Sequence, residues 1–409
     1  MTQKLKLLYV AGPGNVINTF ECWRRGEDDP SQVSMTFSGQ FYDLCTELDA
    51  EGYILASHPE KKFLQNGRFT LEHRPVRLQK RSGVLYYLGQ ILYQLSIVIS
   101  ALWYRADVVI QSDTDCFFVL ALLPKLGIHV VPTLHCVLWA KYLPRSKVKK
   151  LLNRLNGWFF GSQCLAILST SDDVNKQIGE ITATRPLNII NFLSTYRRSE
   201  FKQIQPPNLQ SSTFEVLFAG RIEPEKGVFD LLEIARRFRA AGREDIIFHV
   251  CGTGSKLDLL RQKVAQDGLE ATFVIHGYCD KPTMRQMLSR SHVVVVPTKS
   301  SFVEGLNQVV IEGVLANRPV VTSSICPALT YVREAVVEVP PDDVQAYGDA
   351  VLKLCDVPTF YEAKYRSCEK FQEQFYSSEK SWGTGLKAVL APFYQAAPIE
   401  VATPDPGLS

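Results

Sequence analysis

The ten cysteines of this 409-residue chain include no C-x-x-C pair and no spacing that reads as a zinc site, which removes the common structural-zinc and dithiol-redox classes. Several, such as Cys164 and Cys251, lie inside apolar runs, where a free thiol behaves as a small hydrophobe. No signal-peptide pattern precedes the first apolar run, so a reducing cytoplasm is the expected setting. Charge of one sign is scarce, with a formal net charge of +3. No stripe of aromatics interleaved with basic residues accompanies it, so no nucleic-acid partner is expected. The longest uncharged run, residues 82–104, could span a bilayer by length. It contains Gln90, Gln94, Ser96 and Ser100, however, and leads straight into an apolar segment at 107–110. A buried helix feeding a strand is expected there.

The charge that is present is uneven. Up to Thr195 there are 21 Lys and Arg against 16 Asp and Glu, and most of the excess lies in two tracts. Residues 61–81 hold seven basic groups against one acid, and residues 141–160 hold six against none, ending in Trp158, Phe159 and Phe160. Basic tracts beside apolar residues suit the face of an anionic membrane, which is one expected contact.

Composition allows a large core, 46% of the residues being hydrophobic, and the length suggests two or three domains. Apolar runs at 6–11, 53–57, 108–111, 128–134, 165–168 and 188–192 alternate with helical patterns. The alternation resumes at 215–219, 246–251, 272–275, 292–296, 319–322 and 336–339. Each set predicts an α/β domain with a parallel, doubly wound sheet. The expected domains are 1–200 and 213–378, joined by the polar, Pro-containing linker 201–212. A helix at 379–395 and a disordered tail at 396–409 follow. Two such domains facing each other place a ligand cleft between the carboxyl ends of their sheets.

Several candidate binding residues sit at those ends. Gly12 and Gly14 follow the first strand, where glycines permit a tight turn and close approach of a ligand. The segment 16–37 reads as a long loop suited to acceptor contacts, and Ser38 as the N-cap of the next helix. After the strand at 215–219 comes Gly220-Arg221-Ile222-Glu223-Pro224-Glu225-Lys226-Gly227, whose Arg221 and Lys226 could grip a leaving diphosphate. The stretch 300–323, SSFVEGLNQVVIEGVLANRPVVTS, leads a loop acid, Glu304, through Gly305 into an apolar-periodic helix carrying Glu312. Orphan N–H groups at Leu306, Asn307 and Gln308 could meet an anion. Glu304 could accept from a polyol beside it, and Glu312, two turns on, from a ribose diol. The implied donor is a sugar joined through a diphosphate to a nucleoside. Asp113-Thr114-Asp115 after an apolar strand resembles a cation-binding Asp-x-Asp, but the same residues could cap a helix at 116–123. Because Arg221 and Lys226 already supply positive charge, neither a metal nor another cofactor is expected.

EGLNQVVIEG followed by RPVV resembles the signature of retaining nucleotide-sugar transferases of glycosyltransferase family 4, and GRIEPEKG resembles the family's Gly-Arg…Lys-Gly element. Cys251-Gly252-Thr253-Gly254, His276-Gly277-Tyr278 and Val296-Pro297-Thr298 match in order. The resemblance is close over 214–340 and loose before it. It implies a GT-B fold, with an acceptor-side first domain, a donor-binding second domain and the helix 379–395 crossing back to the first. It implies metal-independent transfer of a sugar from a nucleoside diphosphate to an acceptor sugar, lipid-linked sugar or other hydroxyl compound. The basic tracts, and not the resemblance, suggest a lipid-linked or membrane-associated acceptor at the inner face of the membrane, as in cell-surface polysaccharide or glycolipid assembly. His135 matches a histidine near the reacting carbon, while Gly252 and Tyr278 match donor-side positions. His276 fits a backbone-facing turn. The catalytic set implied is therefore His135, Glu304, Arg221 and Lys226. Asn317 stands where the family usually has glycine, and Ser323-Ser324-Ile325-Cys326-Pro327 replaces a usual Gly-Gly turn. A GT-B epimerase or phosphorylase, or a non-catalytic nucleotide-sugar binder, are the alternatives.

Overall fold

The computed structural model describes residues 4–79, 81–183 and 187–394, and the tail expected at 396–409 lies outside them. The apolar runs form two sheets. The first contains β1 (Lys6–Pro13), β2 (Glu51–Ser57), β3 (Lys62–Asn66), β4 (Phe69–Arg74), β5 (Val108–Gln111), β6 (His129–Leu134), β7 (Ile167–Ser169) and β8 (Ile189–Asn191). Their order is β3-β4-β2-β1-β5-β6-β7-β8, with β3 antiparallel to β4 and the other pairings parallel. The second contains β9 (Phe214–Ala219), β10 (Ile246–Cys251), β11 (Phe273–Gly277), β12 (Val293–Val296), β13 (Val320–Ser323) and β14 (Val336–Val339). These run β11-β10-β9-β12-β13-β14, all parallel. Strands covered on both faces need β-branched residues throughout, and all four valines of β12 are buried.

In each sheet the strand order turns round beside its first strand. β1 lies between β2 and β5, and β9 between β10 and β12. At such a switch point the connections leave in opposite directions and open a crevice at the carboxyl ends. β1 slips register between Val10 and Gly12, whose φ of +77° only glycine adopts without strain.

One face of the first sheet is covered by α1 (Val16–Arg24), α2 (Phe37–Glu47) and the helix Trp382–Tyr394, through Phe20, Phe41, Trp382, Leu386 and Leu390. The other is covered by α3 (Val84–Tyr104), the 3-10 turn Phe117–Leu122, α4 (Lys147–Ser162) and α5 (Asp172–Thr182), through Tyr93, Ile97, Phe117, Phe159 and Ile178. The chain thus crosses back from the second domain to finish the first. Trp382 is fully buried, 5.1 Å from Tyr9, and its indole N–H donates to the Thr133 hydroxyl at 3.3 Å.

Four local expectations are corrected. The expected loop 16–37 opens with α1, which buries Val16, Ile17 and Phe20. Thr36, not Ser38, caps α2, accepting from Gly39 N–H at 3.0 Å. The basic tract 61–81 contains the hairpin β3–β4, where the Arg74 guanidinium is committed to Glu72 at 2.7 Å. The hairpin was hidden because charge masked its short alternation. The run 82–104 is a helix feeding a strand as expected, but only one face of it is buried: the other exposes an apolar stripe. Asn317, in place of the family's glycine, takes φ +53°, a region asparagine tolerates better than most residues.

Trp382→Ala is expected to destabilise the protein by about 3–5 kcal/mol, the range for emptying a buried aromatic site. The check is denaturant unfolding, with a loss under about 1 kcal/mol contradicting the packing described.

Candidate active site

The two crevices meet where the backbone after β6 touches the loop before the helix Gln308–Leu315. Asp113, two residues beyond β5, accepts from the His135 N–H at 3.0 Å and from the Cys136 N–H at 3.4 Å. This fixes the turn that carries His135. The His135 carbonyl in turn accepts from Leu306 N–H at 3.2 Å, and Val137 N–H donates to the Glu304 carbonyl at 3.2 Å. Cys136 and Gly305 form an antiparallel bridge between the domains. A Cβ at Gly305 would lie 2.9 Å from the His135 carbonyl oxygen, so the approach requires glycine.

This arrangement corrects one expectation and refines two. The Leu306 N–H, expected to face a ligand anion, is already committed to His135. Asp113 and Asp115 do not cap the turn Phe117–Leu122, which has no side-chain cap. Asp113 holds the His135 turn, and Asp115 pairs with Lys149. Among the described residues no group of three or more His, Cys, Asp or Glu is clustered as a metal site would need. His276 is not simply backbone-facing, since its Nε2 meets His249 Nδ1 at 2.9 Å.

Glu304 is the most heavily bonded group of the cleft. Its carboxylate accepts from Lys226 Nζ at 2.9 and 3.1 Å, the Thr298 hydroxyl at 2.9 Å, Asn307 Nδ2 at 3.2 Å and the Gly305 N–H at 3.2 Å. Glu304 and Lys226 were expected to hold different parts of a ligand. Here they are paired with each other, so each is oriented in advance. Lys226 also lies 4.0 Å from the Phe302 ring centroid and Arg221 lies 5.6 Å from it. The Arg221 guanidinium is exposed and makes no ion pair among the described residues.

His135 packs against Phe37 at 4.5 Å and Phe192 at 5.5 Å, and burial lowers its imidazole to about 4. It is neutral at neutral pH, able to accept or donate one hydrogen bond but unable to supply a cation. Burial pushes the Glu312 carboxyl up to about 7 despite Lys281 nearby, and no side chain or backbone group among the described residues hydrogen-bonds to it. Asp113, crowded by protein at the cleft floor, is also raised to about 7.

The remaining candidates lie around this cluster. Gly252, at φ +141°, has its Cβ position 1.8 Å from the Gly220 carbonyl oxygen, which ties the turns after β10 and β9 together. Tyr278 stands exposed on the rim. Gly12, expected on the donor side, instead lines a cavity of about 400 Å³ in the first domain, together with Tyr86, Gln90, Gln94, Asp113 and Asn153. Gly14 is not among its lining residues and has open space around it. The cavity reaches Cys136 and Val303, the chain neighbours of His135 and Glu304. Gln94 Oε1, Gln111 Oε1 and Asn153 Nδ2 at its walls have no hydrogen-bond partner among the described residues. Sequence reasoning missed this cavity, although Gln90 and Gln94, four apart on an otherwise apolar helix, were its signal. The Ser323-Ser324 turn touches the first domain, with Ser324 Oγ 2.6 Å from the Tyr142 hydroxyl.

Residues 199–374 match the family model described as Glycosyl transferases group 1, in agreement with the resemblance seen in GRIEPEKG and EGLNQVVIEG. The chain is 23% identical over 265 residues to an alpha-D-kanosaminyltransferase of Streptomyces kanamyceticus, covering 61% of this chain and 67% of that one. It is 30% identical over 201 residues to a glycogen synthase of Mycobacterium tuberculosis, covering 47% of this chain and 45% of that one. The chain therefore spans between about half and two thirds of the length of these curated relatives. Anabaena HepE in complex with UDP superposes with a TM-score of 0.64 at 12% identity, over 96% of this chain and 100% of that one. The fold is GT-B, two doubly wound domains facing across a cleft.

A double-mutant cycle of Lys226→Met and Glu304→Gln is expected to show a coupling of roughly 0.5–3 kcal/mol in denaturant unfolding, because each single change strands a partner out of water. Additive effects would contradict the pairing.

Proposed function

We propose that this chain is a retaining, metal-independent glycosyltransferase that moves a sugar from a nucleoside diphosphate to an acceptor hydroxyl. The observation that carries it is a set of groups at the cleft that the protein's own packing leaves unused. Arg221 is an exposed cation without a carboxylate partner, and Glu312 is a crowded carboxyl without a hydrogen bond. With them at the cleft is the pre-oriented Lys226–Glu304 pair. A diphosphate bracketed by Arg221 and Lys226, with its ribose on Glu312, would bring the sugar beside Glu304 and His135. The ten cysteines, all unpaired, support a cytoplasmic setting.

The proposed chemistry breaks the bond between the anomeric carbon and the diphosphate oxygen while the acceptor oxygen bonds to the same face of that carbon. The acceptor's proton passes to the departing diphosphate. Arg221 and Lys226 stabilise the negative charge that develops there, and they are worth most where water is excluded. His135, neutral and held by Phe37 and Phe192, offers a hydrogen bond beside the reacting carbon. The first-domain cavity, rich in amide side chains with unpartnered oxygens and nitrogens, is suited to an uncharged polyol such as an acceptor sugar.

Two measurements test this. UDP, GDP and ADP, with and without EDTA, are expected to give one nucleotide that raises the melting temperature regardless of chelator. That rise should be lost in Arg221→Ala, and release of free nucleoside diphosphate should need an acceptor. A rise that depends on a divalent ion would overturn metal independence.

The pH dependence supplies the second. The Glu312 proton stabilises the free protein fully below its ordinary 4.5, and that contribution is lost as pH rises through about 7. Ribose hydroxyls donating to the carboxylate favour its charged form, so nucleotide affinity should strengthen from about pH 6 to about pH 8. Titration calorimetry on Glu312→Gln should remove up to about tenfold of that change. An identical slope in the variant would remove Glu312 from the donor site.

A further inference from the structure

The stripe on α3 is unlike the rest of the surface. Val84, Leu88, Leu92, Leu95, Ile99 and Trp103 recur at spacings of three and four, which places them on one helical face. All are exposed, Val84 by 75%, Ile99 by 66% and Trp103 by 73%. The opposite face, with Tyr93, Ile97 and Ala101, is the one packed on the sheet. Further exposed apolar side chains stand on neighbouring elements of the same layer, Leu122 and Leu126 at and after the 3-10 turn and Leu151 and Trp158 on α4. A row of six exposed apolar side chains along one helix face marks a binding face, not ordinary scatter.

Charge decides what covers it. From His73 to Ser171 the chain holds twelve Lys and Arg and three Asp. Each Asp is committed within the protein: Asp107 to the Lys6 N–H at 2.7 Å, Asp113 to the His135 turn, and Asp115 to Lys149. Among the cations, Arg77, Arg81, Arg105, Lys125, Lys150 and Arg154 are exposed and make no ion pair among the described residues. Acids on the adjoining α5 reach this layer only at its margin, where Asp173 meets Lys141 at 3.4 Å and Glu180 meets Arg145 at 3.9 Å. An apolar face rimmed by unpaired cations is complementary to a bilayer carrying anionic headgroups, into which apolar side chains insert while the cations stay at the phosphate level. A second copy of this chain docked symmetrically would bring the same cations face to face, which is unfavourable.

We propose that the face made by α3, the turn Phe117–Leu122 and α4 is a peripheral docking surface for an anionic lipid bilayer. The 400 Å³ cavity lies between α3 and α4, bounded by Tyr86 and Gln90 on one and Lys149 and Asn153 on the other. Docking would hold that cavity beside the headgroup layer. The docking claim stands apart from the transferase proposal, since it requires neither donor nor acceptor.

The test is co-sedimentation of the full chain with vesicles of phosphatidylcholine alone and with ~30% phosphatidylglycerol, at ~0.1 and ~0.5 M salt. Binding is expected only with the anionic vesicles, falling about tenfold or more at the higher salt. Ile99→Glu/Trp103→Glu and Lys150→Glu/Arg154→Glu should each lower it about tenfold or more. These positions are exposed, so circular dichroism and nucleotide binding should match the parent. Equal binding to both vesicle types, no binding, or binding unchanged in both variants would overturn the proposal. A dimer in light scattering that dissociates in Ile99→Glu/Trp103→Glu would overturn it in favour of a second copy.

Discussion

The carboxylate of Asp113 holds the two N–H groups that follow β6, and the carbonyl of His135 accepts Leu306 from the other domain. Four residues, His135, Cys136, Glu304 and Gly305, are thereby set against one another across the cleft. The positions of His135 and Glu304 depend on this junction. His135 is aimed by the turn that Asp113 fixes, and Glu304 is aimed by its own backbone bond to Val137. Because the bonds between the domains are backbone to backbone, side chains other than Asp113 can vary without moving them. The one side chain the junction cannot tolerate is a Cβ at Gly305.

Around that junction the electrostatics are divided by domain. On the first-domain side, burial keeps His135 uncharged, and the crowding protein raises Asp113 although its side chain reaches solvent. On the second-domain side, Arg221 and Lys226 gather positive charge over Phe302, and Glu304 balances one of them. An anion entering the cleft meets unbalanced positive charge at its second-domain wall, while Lys149 on the first-domain side is paired with Asp115. That asymmetry orients a ligand with one charged end and one polar end. It does so before any domain motion, since the groups concerned are already bonded to their supports.

Much of this was legible from residue order. The twelve apolar runs read as parallel strands are all strands, because residues buried on both faces leave an uninterrupted signal that charge does not disguise. The motifs GRIEPEKG and EGLNQVVIEG lie where a strand ends at the cleft, which needs only local turn chemistry to foresee. What could not be read is pairing at a distance. Nothing local says that Lys226 bonds Glu304, that Asp113 serves His135, or that Leu306 gives its N–H to the other domain. The hairpin β3–β4 escaped because its strands carry charge at the sheet edge. The open face of α3 escaped because periodicity separates two faces of a helix but cannot say whether an apolar one meets protein.

The helix Trp382–Tyr394 carries a consequence for the order of assembly. Its Trp382 completes the core around Thr133, 249 residues upstream, and around Tyr9, near the start of the chain. During synthesis the first domain emerges early but lacks that wedge until the second domain has been made. Contacts so distant along the chain close late and slowly. The nascent first domain therefore waits with the Trp382 site beside Tyr9 open, and its core closes only after the second domain has been made.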